Sequence, residues 1–284
     1  MSARTRIVIV TYNAGAFVEA AVDSALAQSV PCEIVVVDNA STDGSIERLR
    51  ARYPSVIVVE RSENSGFAHG VNAGARLETG NRPEFVALLN PDARARPDWI
   101  ETMTAWMGRR SIDVASSVVL EGAATFFAGG RWRPYLGLAQ TLFSFAGERA
   151  QWVSGCAMVV RAERFERTGG FDEGYFLYSE DVDFCMRAAA AGARLGVCEQ
   201  PLVDHPDPGT STNALGAPRK RRIAMTSRGR LLRRFARGPA LPSAVLFQVL
   251  VSPALNGASL REYPTLARAF LEGFRGAGPV RAGL

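Results

Sequence analysis

Over the first ninety residues, short apolar runs alternate with stretches that carry a helical stripe. RIVIVTYN (6–13) is a β-branched run ending in polar residues. AFVEAAVDSALAQ (16–28) then places Phe17, Ala21, Val22, Ala25 and Leu26 on one helical face. EIVVVDNASTDGS (33–45) repeats the arrangement, an apolar run and a polar loop before a helix from about Ser45 to Arg52. VIVVERS (56–62) reads as a third strand, GFAHGVNAGARLE (66–78) as a helix and EFVALLN (84–90) as a fourth strand. These runs are apolar throughout rather than alternately, which predicts a mostly parallel α/β sheet covered by helices on both faces.

DWIETMTAWM (98–107) continues as a helix and VASSVVL (114–120) as a strand. The pattern then weakens, because residues 121–150 scatter Gly122, Gly129, Gly130, Gly137 and Gly147 among aromatics. This stretch is expected to be an irregular excursion near the site. Order returns with a strand and short helix in WVSGCAMVVRAERFERTGGF (152–171), and with an amphipathic helix of acidic start in SEDVDFCMRAAAAGARL (179–195).

Composition narrows the class without changing this picture. With 284 residues, 47% apolar and 21% charged, the chain can bury a full core. No run approaches the roughly 18–20 apolar residues of a spanning helix. The N-terminus passes into a strand without the pattern of a secretory signal, so a cytoplasmic location is expected. Cys32, Cys156, Cys185 and Cys198 form no CxxC pair and read as reduced thiols rather than zinc ligands or disulfides.

Charge divides the chain. Residues 217–284 carry 13 Lys plus Arg against 2 Glu, a net of +11, while residues 1–216 carry a net of −6. The expected organisation is a catalytic domain over 1–215 and a basic, mainly helical extension over 216–284. Within the extension, 217–237 holds nine basic residues interspersed with Ile223, Met225, Leu231, Leu232 and Phe235. This pattern suits an amphipathic helix on an anionic membrane surface. The competing readings are a solvated helix or a subunit interface, as in a homodimer. No nucleic-acid partner is expected.

In open parallel sheets, ligands lie beyond the carboxyl ends of the strands. Polar residues gather there: Thr11, Tyr12 and Asn13 after the first strand, Asp38 and Asn39 after the second, Asn64 after the third, Asn90 and Asp92 after the fourth. Each alone could be turn or cap chemistry. A dinucleotide-binding dehydrogenase is disfavoured, because TYNAGAF follows the first strand where GxGxxG would stand.

VTYNAG (10–15), VVVDNASTDGS (35–45), NSGFAHGVNAG (64–74), LLNPDA (88–93), SGCAMVVRAERFERTGGFDEGYFLYSEDVDFCMRAAAAG (154–192) and VDHPDPGTST (203–212) together resemble the successive motifs of family 2 inverting glycosyltransferases with the Rossmann-like GT-A fold. The resemblance is strongest to the rhamnosyltransferase-like branch and covers about the first 215 residues. It implies a nucleotide diphosphate sugar of the dTDP or UDP type as donor, and a glycan or lipid-linked acceptor. Thr11, Asn13, Asp38 and Asn39 would contact base and ribose. The Asn39 carbonyl could accept from the imide N–H of thymine or uracil alike. In the glycine-rich motif, Asn64, Gly66 and Asn72 would meet the nucleotide sugar, with His69 behind them.

The resemblance further implies that Asp92 holds a divalent metal, Mn or Mg, which neutralises the leaving diphosphate. Related sequences carry Asp-x-Asp where this chain has Asn90-Pro91-Asp92, so one carboxylate is missing. His205 occupies a position where some family members place a metal-binding histidine, and an imidazole suits Mn better than Mg. Asp181 would be the general base and Glu180 its neighbour at the acceptor, flanked by Trp152, Gly155 and Tyr178. Asp183 reads as structural. Absence of a QxxRW-type motif and of several spanning helices implies transfer of one sugar. The best match is rhamnose from dTDP-rhamnose in cell-surface polysaccharide synthesis. The alternatives are a UDP-hexose or UDP-galactofuranose transferase, or a non-catalytic nucleotide-sugar-binding subunit.

Overall fold

The computed structural model describes residues 4–206 and 216–276. Four strands, β1 (Thr5–Thr11), β2 (Cys32–Asp38), β3 (Ile57–Glu60) and β4 (Phe85–Leu88), lie parallel in the order β3-β2-β1-β4. Every residue of β1 is buried, as expected for a strand covered on both faces. The crossovers are α1 (Phe17–Leu26), α2 (Ser45–Arg52) and α3 (Phe67–Ala75). On α1 the buried stripe is Val18, Ala21, Val22 and Ala25, while Phe17 and Leu26 are exposed. The stripe is thus rotated by about one residue from the one expected.

After the short β5 (Arg94–Ala95) and α4 (Trp99–Arg110), the sheet continues as β4-β10-β6-β11-β5, with β6 at Val114–Glu121, β10 at Met158–Arg161 and β11 at Leu195–Asp204. β6 and β11 pair in parallel, but β10, followed by the short helix α5 (Ala162–Arg167), sits antiparallel between β4 and β6. This reversal matters for function. Running backwards, β10 begins where β4 ends, and the Asn90 N–H donates to Cys156 O at 3.0 Å. Residues 154–157 are thereby delivered to the carboxyl edge of the sheet.

The excursion expected to be irregular contains three strands. β7 (Ala124–Phe127) pairs with β6, and β8 (Gly130–Arg133) with β9 (Leu138–Thr141) in a separate two-stranded ribbon. The turn of that ribbon is held by the C-terminal helices: Ser243 Oγ donates to Tyr135 O at 2.8 Å, and Gln248 Nε2 to Leu136 O at 2.9 Å and Gly137 O at 3.1 Å. No signal local to 121–150 encodes these contacts.

The extension folds as α7 (Ala217–Phe235), α8 (Ala240–Leu246), a π-helical turn (Phe247–Val251), α9 (Ser252–Leu255) and α10 (Tyr263–Arg275). α7 and α10 cross at Gly229 and Gly273, where a Cβ on either residue would strike the other helix's backbone. Met225, Leu232, Ala236, Ala244, Leu266, Ala269 and Phe270 form a second apolar cluster, and Leu231 belongs to the main core.

Much of the charge of 217–237, the stretch expected to face a membrane, is turned to internal partners. Arg234 pairs with the buried Asp183 and with Asp172, Arg221 with Glu262, and Arg233 donates to Arg275 O. Arg230 lies over the Tyr175 ring at 5.6 Å, and Ser227 Oγ donates to Leu177 O at 2.8 Å. α7 is a packed wall beside the 171–178 loop. Exposed apolar residues lie further along, at Leu246, Leu250, Val251, Leu255 and Leu260. Among the described residues no helix is long and apolar enough to cross a membrane. The four cysteines are free thiols.

Candidate active site

Where β4 ends, the chain turns at Asn90 and buries Asp92. β11 ends beside it and carries His205 inward, with the ring stacked on Phe126 at 4.8 Å. His205 Nε2 lies 3.0 Å from Asp92 Oδ1 and 3.4 Å from Asn90 Nδ2. Burial alone would lower the imidazole pKa, but the adjacent Cys156 sulfur and Asp92 carboxylate outweigh it and push His205 up to about 10. A cation bound through Nε2 would displace the proton held between His205 and Asp92. One carboxylate and one imidazole meet here, and among the described residues no group of three or more His, Cys, Asp or Glu converges anywhere. A hard cation would thus draw most of its ligands from phosphate oxygens and water. The two buried donors fit such a cation, but would hold it weakly without a phosphate. The remainder of the VDHPDPGTST motif, from residue 207, lies outside the described residues.

At the ends of β1 and β2, turn chemistry and open acceptors coexist. Asp38 accepts from the Ser41 N–H through both oxygens, at 3.1 and 3.0 Å, and Asn13 Oδ1 accepts from the Thr42 N–H at 2.7 Å. Burial pushes the Asp38 carboxyl up while the Ser41 bonds oppose it. Asn39 donates through Nδ2 to Gly66 O at 3.2 Å, yet its Oδ1 is buried without a partner, as are Thr11 Oγ1 and Arg61 Nε. Buried polar atoms are almost always paired, so these three are open to a further partner. Arg61, whose N–H donates to Asp38 O at 2.9 Å, was not among the sequence candidates.

Within the glycine-rich motif, Asn64 Oδ1 accepts from the Gly66 N–H at 3.1 Å. Gly66 has φ +94, and a Cβ there would strike the Phe176 carbonyl. The adjacent Phe67 N–H donates to that carbonyl at 2.8 Å, fastening α3 to the 171–178 loop. Asn72 does not reach the cleft as expected. Its amide bonds Phe171 O, the Phe171 N–H and Glu173 Oε1, all at 2.9 Å, so it positions this loop from behind. His69 Nδ1 likewise meets Glu173 Oε2 at 3.1 Å.

The acidic end of that loop opens α6 (Glu180–Ala190). Tyr178 and Ser179 both have φ +68, a left-handed pair that turns the chain sharply before the helix. Asp181 Oδ2 accepts from the Gly155 N–H at 3.0 Å, and Oδ1 from the Val182 N–H at 2.8 Å. Glu180 is buried with Oε2 unpartnered. Burial, aided by the neighbouring Asp181 charge, holds Glu180 well above the usual carboxylate range. Burial also raises Asp181, against its backbone hydrogen bonds. Two adjacent carboxyls thus differ, Glu180 with one buried, unpartnered oxygen and Asp181 hydrogen-bonded to backbone N–H groups through both. Asp183 is fully buried between Arg187 and Arg234, the structural place expected for it.

These elements enclose an open cavity of about 730 Å³. Asn90, Asp92 and His205 line it, as do Trp152, Gly155, Tyr178, Glu180 and Asp181, and α7 adds Lys220, Arg221 and Arg228. Trp152 also packs on Phe127 at 5.4 Å, so it is both core and cavity wall. Thr11, Asn13, Asp38, Asn39, Asn64, Gly66 and Asn72 are not among the lining residues. Val10 and Phe67 are, which places the ends of β1 and α3 at its margin.

A curled, mostly parallel sheet flanked by helices, with a buried acid after β4 and a carboxylate pair opening α6, is a GT-A nucleotide-sugar architecture. The family model "Glycosyl transferase family 2" matches residues 6–169, and the chain belongs to that family. It is similar to the N-acetylglucosaminyl-diphospho-decaprenol L-rhamnosyltransferase of Mycobacterium tuberculosis, at 29% identity over 66% of this chain and 70% of that protein. It is also similar to the rhamnosyltransferase WbbL of Escherichia coli, at 28% identity over 46% of this chain and 56% of that one. Among solved structures, S. aureus TarS 1-349 shares the fold with a TM-score of 0.63, 18% identity and coverage of 95% and 81%. The mannosyltransferase PcManGT of Pyrobaculum calidifontis, solved with GDP-Man and Mn2+, does so with a TM-score of 0.59, 21% identity and coverage of 99% and 77%. The chain is a glycosyltransferase.

Proposed function

We infer that this glycosyltransferase moves one rhamnose from dTDP-rhamnose onto a lipid-linked glycan acceptor, with inversion at the anomeric carbon. The observation that carries the reading is the placement of Asp181, fixed by the Gly155 N–H, in one cavity with Asp92 and His205. The donor sugar is argued from the relatives described as rhamnosyltransferases.

In this account Thr11 Oγ1 and Asn39 Oδ1 receive the nucleoside, the latter accepting the base imide N–H. Asp92 and His205, with Asn90 beside them, would hold Mn or Mg, whose charge offsets the negative charge gathering on the departing diphosphate. Asp181 Oδ2 takes the proton of the acceptor hydroxyl as that oxygen bonds to the anomeric carbon and the bond to the diphosphate breaks. Raised by burial, Asp181 is a stronger base than an exposed aspartate. Glu180, whose buried Oε2 has no partner in the protein, hydrogen-bonds the acceptor and fixes its orientation. In-line attack from the face opposite the leaving group inverts the centre.

Asn39 does not distinguish thymine from uracil, which keeps a UDP-hexose or UDP-galactofuranose donor as the second reading. A donor panel decides. With Mn or Mg and a polyprenyl-diphospho-N-acetylglucosamine acceptor, metal-dependent nucleotide release is expected from dTDP-rhamnose and not from UDP-glucose, UDP-galactose, UDP-galactofuranose or GDP-mannose. Release from none would instead indicate a binding-only subunit.

Such an acceptor brings the enzyme to a bilayer. Exposed Leu246, Leu250 and Leu255, beside a strongly basic extension, support contact with an anionic surface. Co-sedimentation with anionic vesicles should fall in Leu250→Ser; equal sedimentation of both proteins would remove that face from the account.

A further inference from the structure

Most cations of α7 have assigned partners. Arg221 meets Glu262, Arg222 lies 3.9 Å from Glu272, Arg234 bridges Asp172 and Asp183, and Arg233 caps a carbonyl. Arg228 differs. It is half-buried and lines the central cavity, and its hydrogen bonds among the described residues are to the Ser252 hydroxyl and, at 3.9 Å, the Met225 sulfur. No carboxylate lies within ion-pair distance of it among the described residues. Burial disfavours its charge, and no acid opposes that effect.

A guanidinium stays protonated under such conditions, so its desolvation is offset by the Ser252 hydroxyl and by no opposite charge until an anion arrives. The acids of the cavity, Asp92, Glu180 and Asp181, belong to other elements, whereas α7 contributes only Lys220, Arg221 and Arg228 as ionisable lining. The cavity is therefore divided by charge, with its basic wall supplied by the extension. Arginine forms two parallel hydrogen bonds to a phosphoryl group, a geometry lysine does not reproduce.

We propose that Arg228 is the anchor of a phosphate subsite in the central cavity, formed by α7 and taking a phosphoryl group of a diphosphate ligand. This rests on the transferase reading above, in which two diphosphates enter the cavity: that of the nucleotide and that of a lipid-linked acceptor. The chemistry is shared, and binding separates the sources.

The test uses the whole protein, with calorimetric titration of four probes: thymidine and dTDP for the donor, N-acetylglucosamine and a short-chain prenyl-diphospho-N-acetylglucosamine for the acceptor. Arg228→Gln should weaken one diphosphate probe by ~tenfold or more while its melting temperature and thymidine affinity stay close to wild type. Arg228→Lys should restore part of the loss. Loss confined to dTDP assigns the subsite to the donor, and loss confined to the prenyl compound assigns it to the acceptor. Wild-type affinity of Arg228→Gln for both diphosphates overturns the subsite but leaves the transferase reading intact. A wild-type protein that binds neither diphosphate overturns both.

Discussion

The Gly155 N–H donates to Asp181 Oδ2 at 3.0 Å, tying the start of the antiparallel β10 to the first turn of α6. A carboxylate so held keeps one orientation while its other oxygen bonds within the helix. A side chain at 155 would be crowded: a Cβ would stand 3.3 Å from Phe67 Cε1, which would have to give by a few tenths of an ångström, and 3.5 Å from Asp181 Cβ. Gly155→Ala should displace the base by a fraction of an ångström and lower kcat by about 10–100-fold, with little change in nucleotide affinity. Steady-state kinetics beside nucleotide titration checks this; an unchanged kcat would separate Gly155 from catalysis.

Glu180 is buried without a partner for Oε2 and is raised well above its usual range. The folded state thus binds a proton that the unfolded state releases, so Glu180 lowers stability as pH rises above the ordinary glutamate value. Glu180→Gln should melt higher than wild type at pH 7, and the gap should close as the pH falls toward 4. Scanning calorimetry across that range reads it, and a variant that melts lower at pH 7 contradicts a raised Glu180.

Asp183 has no exposed surface and binds Arg187 and Arg234 at 2.6 and 2.5 Å, with the Tyr175 hydroxyl donating at 3.3 Å. Both arginines are partly exposed, so Asp183→Ala should cost about 1–3 kcal/mol, below the loss for breaking a fully buried pair. Release of α7 should accompany it. Denaturant unfolding gives the first quantity, and proteolysis within 216–276 should quicken; wild-type resistance would show that other contacts hold the helix.

With two side-chain donors in place of a complete cage, Asp92 and His205 predict metal binding that depends on the nucleotide. Electron paramagnetic resonance of Mn should detect weak binding to the protein alone and at least tenfold tighter binding with dTDP. His205→Ala should lose most of that gain. Equal Mn affinity with and without dTDP argues against a shared site.

The parallel half of the sheet was legible because β1 to β4 are uninterrupted apolar runs closed by polar residues. The direction of β10 was not, since the four residues MVVR carry no sign of whether they run with or against β4. β8 and β9 escaped notice because donors more than a hundred residues away hold their turn. Among the site residues, Asp181, Glu180, Asp92 and His205 were found through the resemblance to family motifs, and they line one cavity. Asn72 was misplaced because its partners, Phe171 and Glu173, lie 99 and 101 residues on, beyond any local pattern. Arg61 and Arg228 were hidden by composition. When all 33 basic residues but Lys220 are arginine, only the fold reveals which guanidinium lacks an acid.

The most direct test of the central claim is the single-turnover rate of rhamnosyl transfer by Asp181→Asn, measured with dTDP affinity on the same preparation. The side chain keeps its size and one acceptor oxygen but cannot take the proton. Transfer should fall by about 10²–10⁴-fold while dTDP affinity stays within about twofold of wild type. Transfer at the wild-type rate, or a loss of dTDP binding large enough to explain the slower rate, would contradict the assignment of Asp181 as the base.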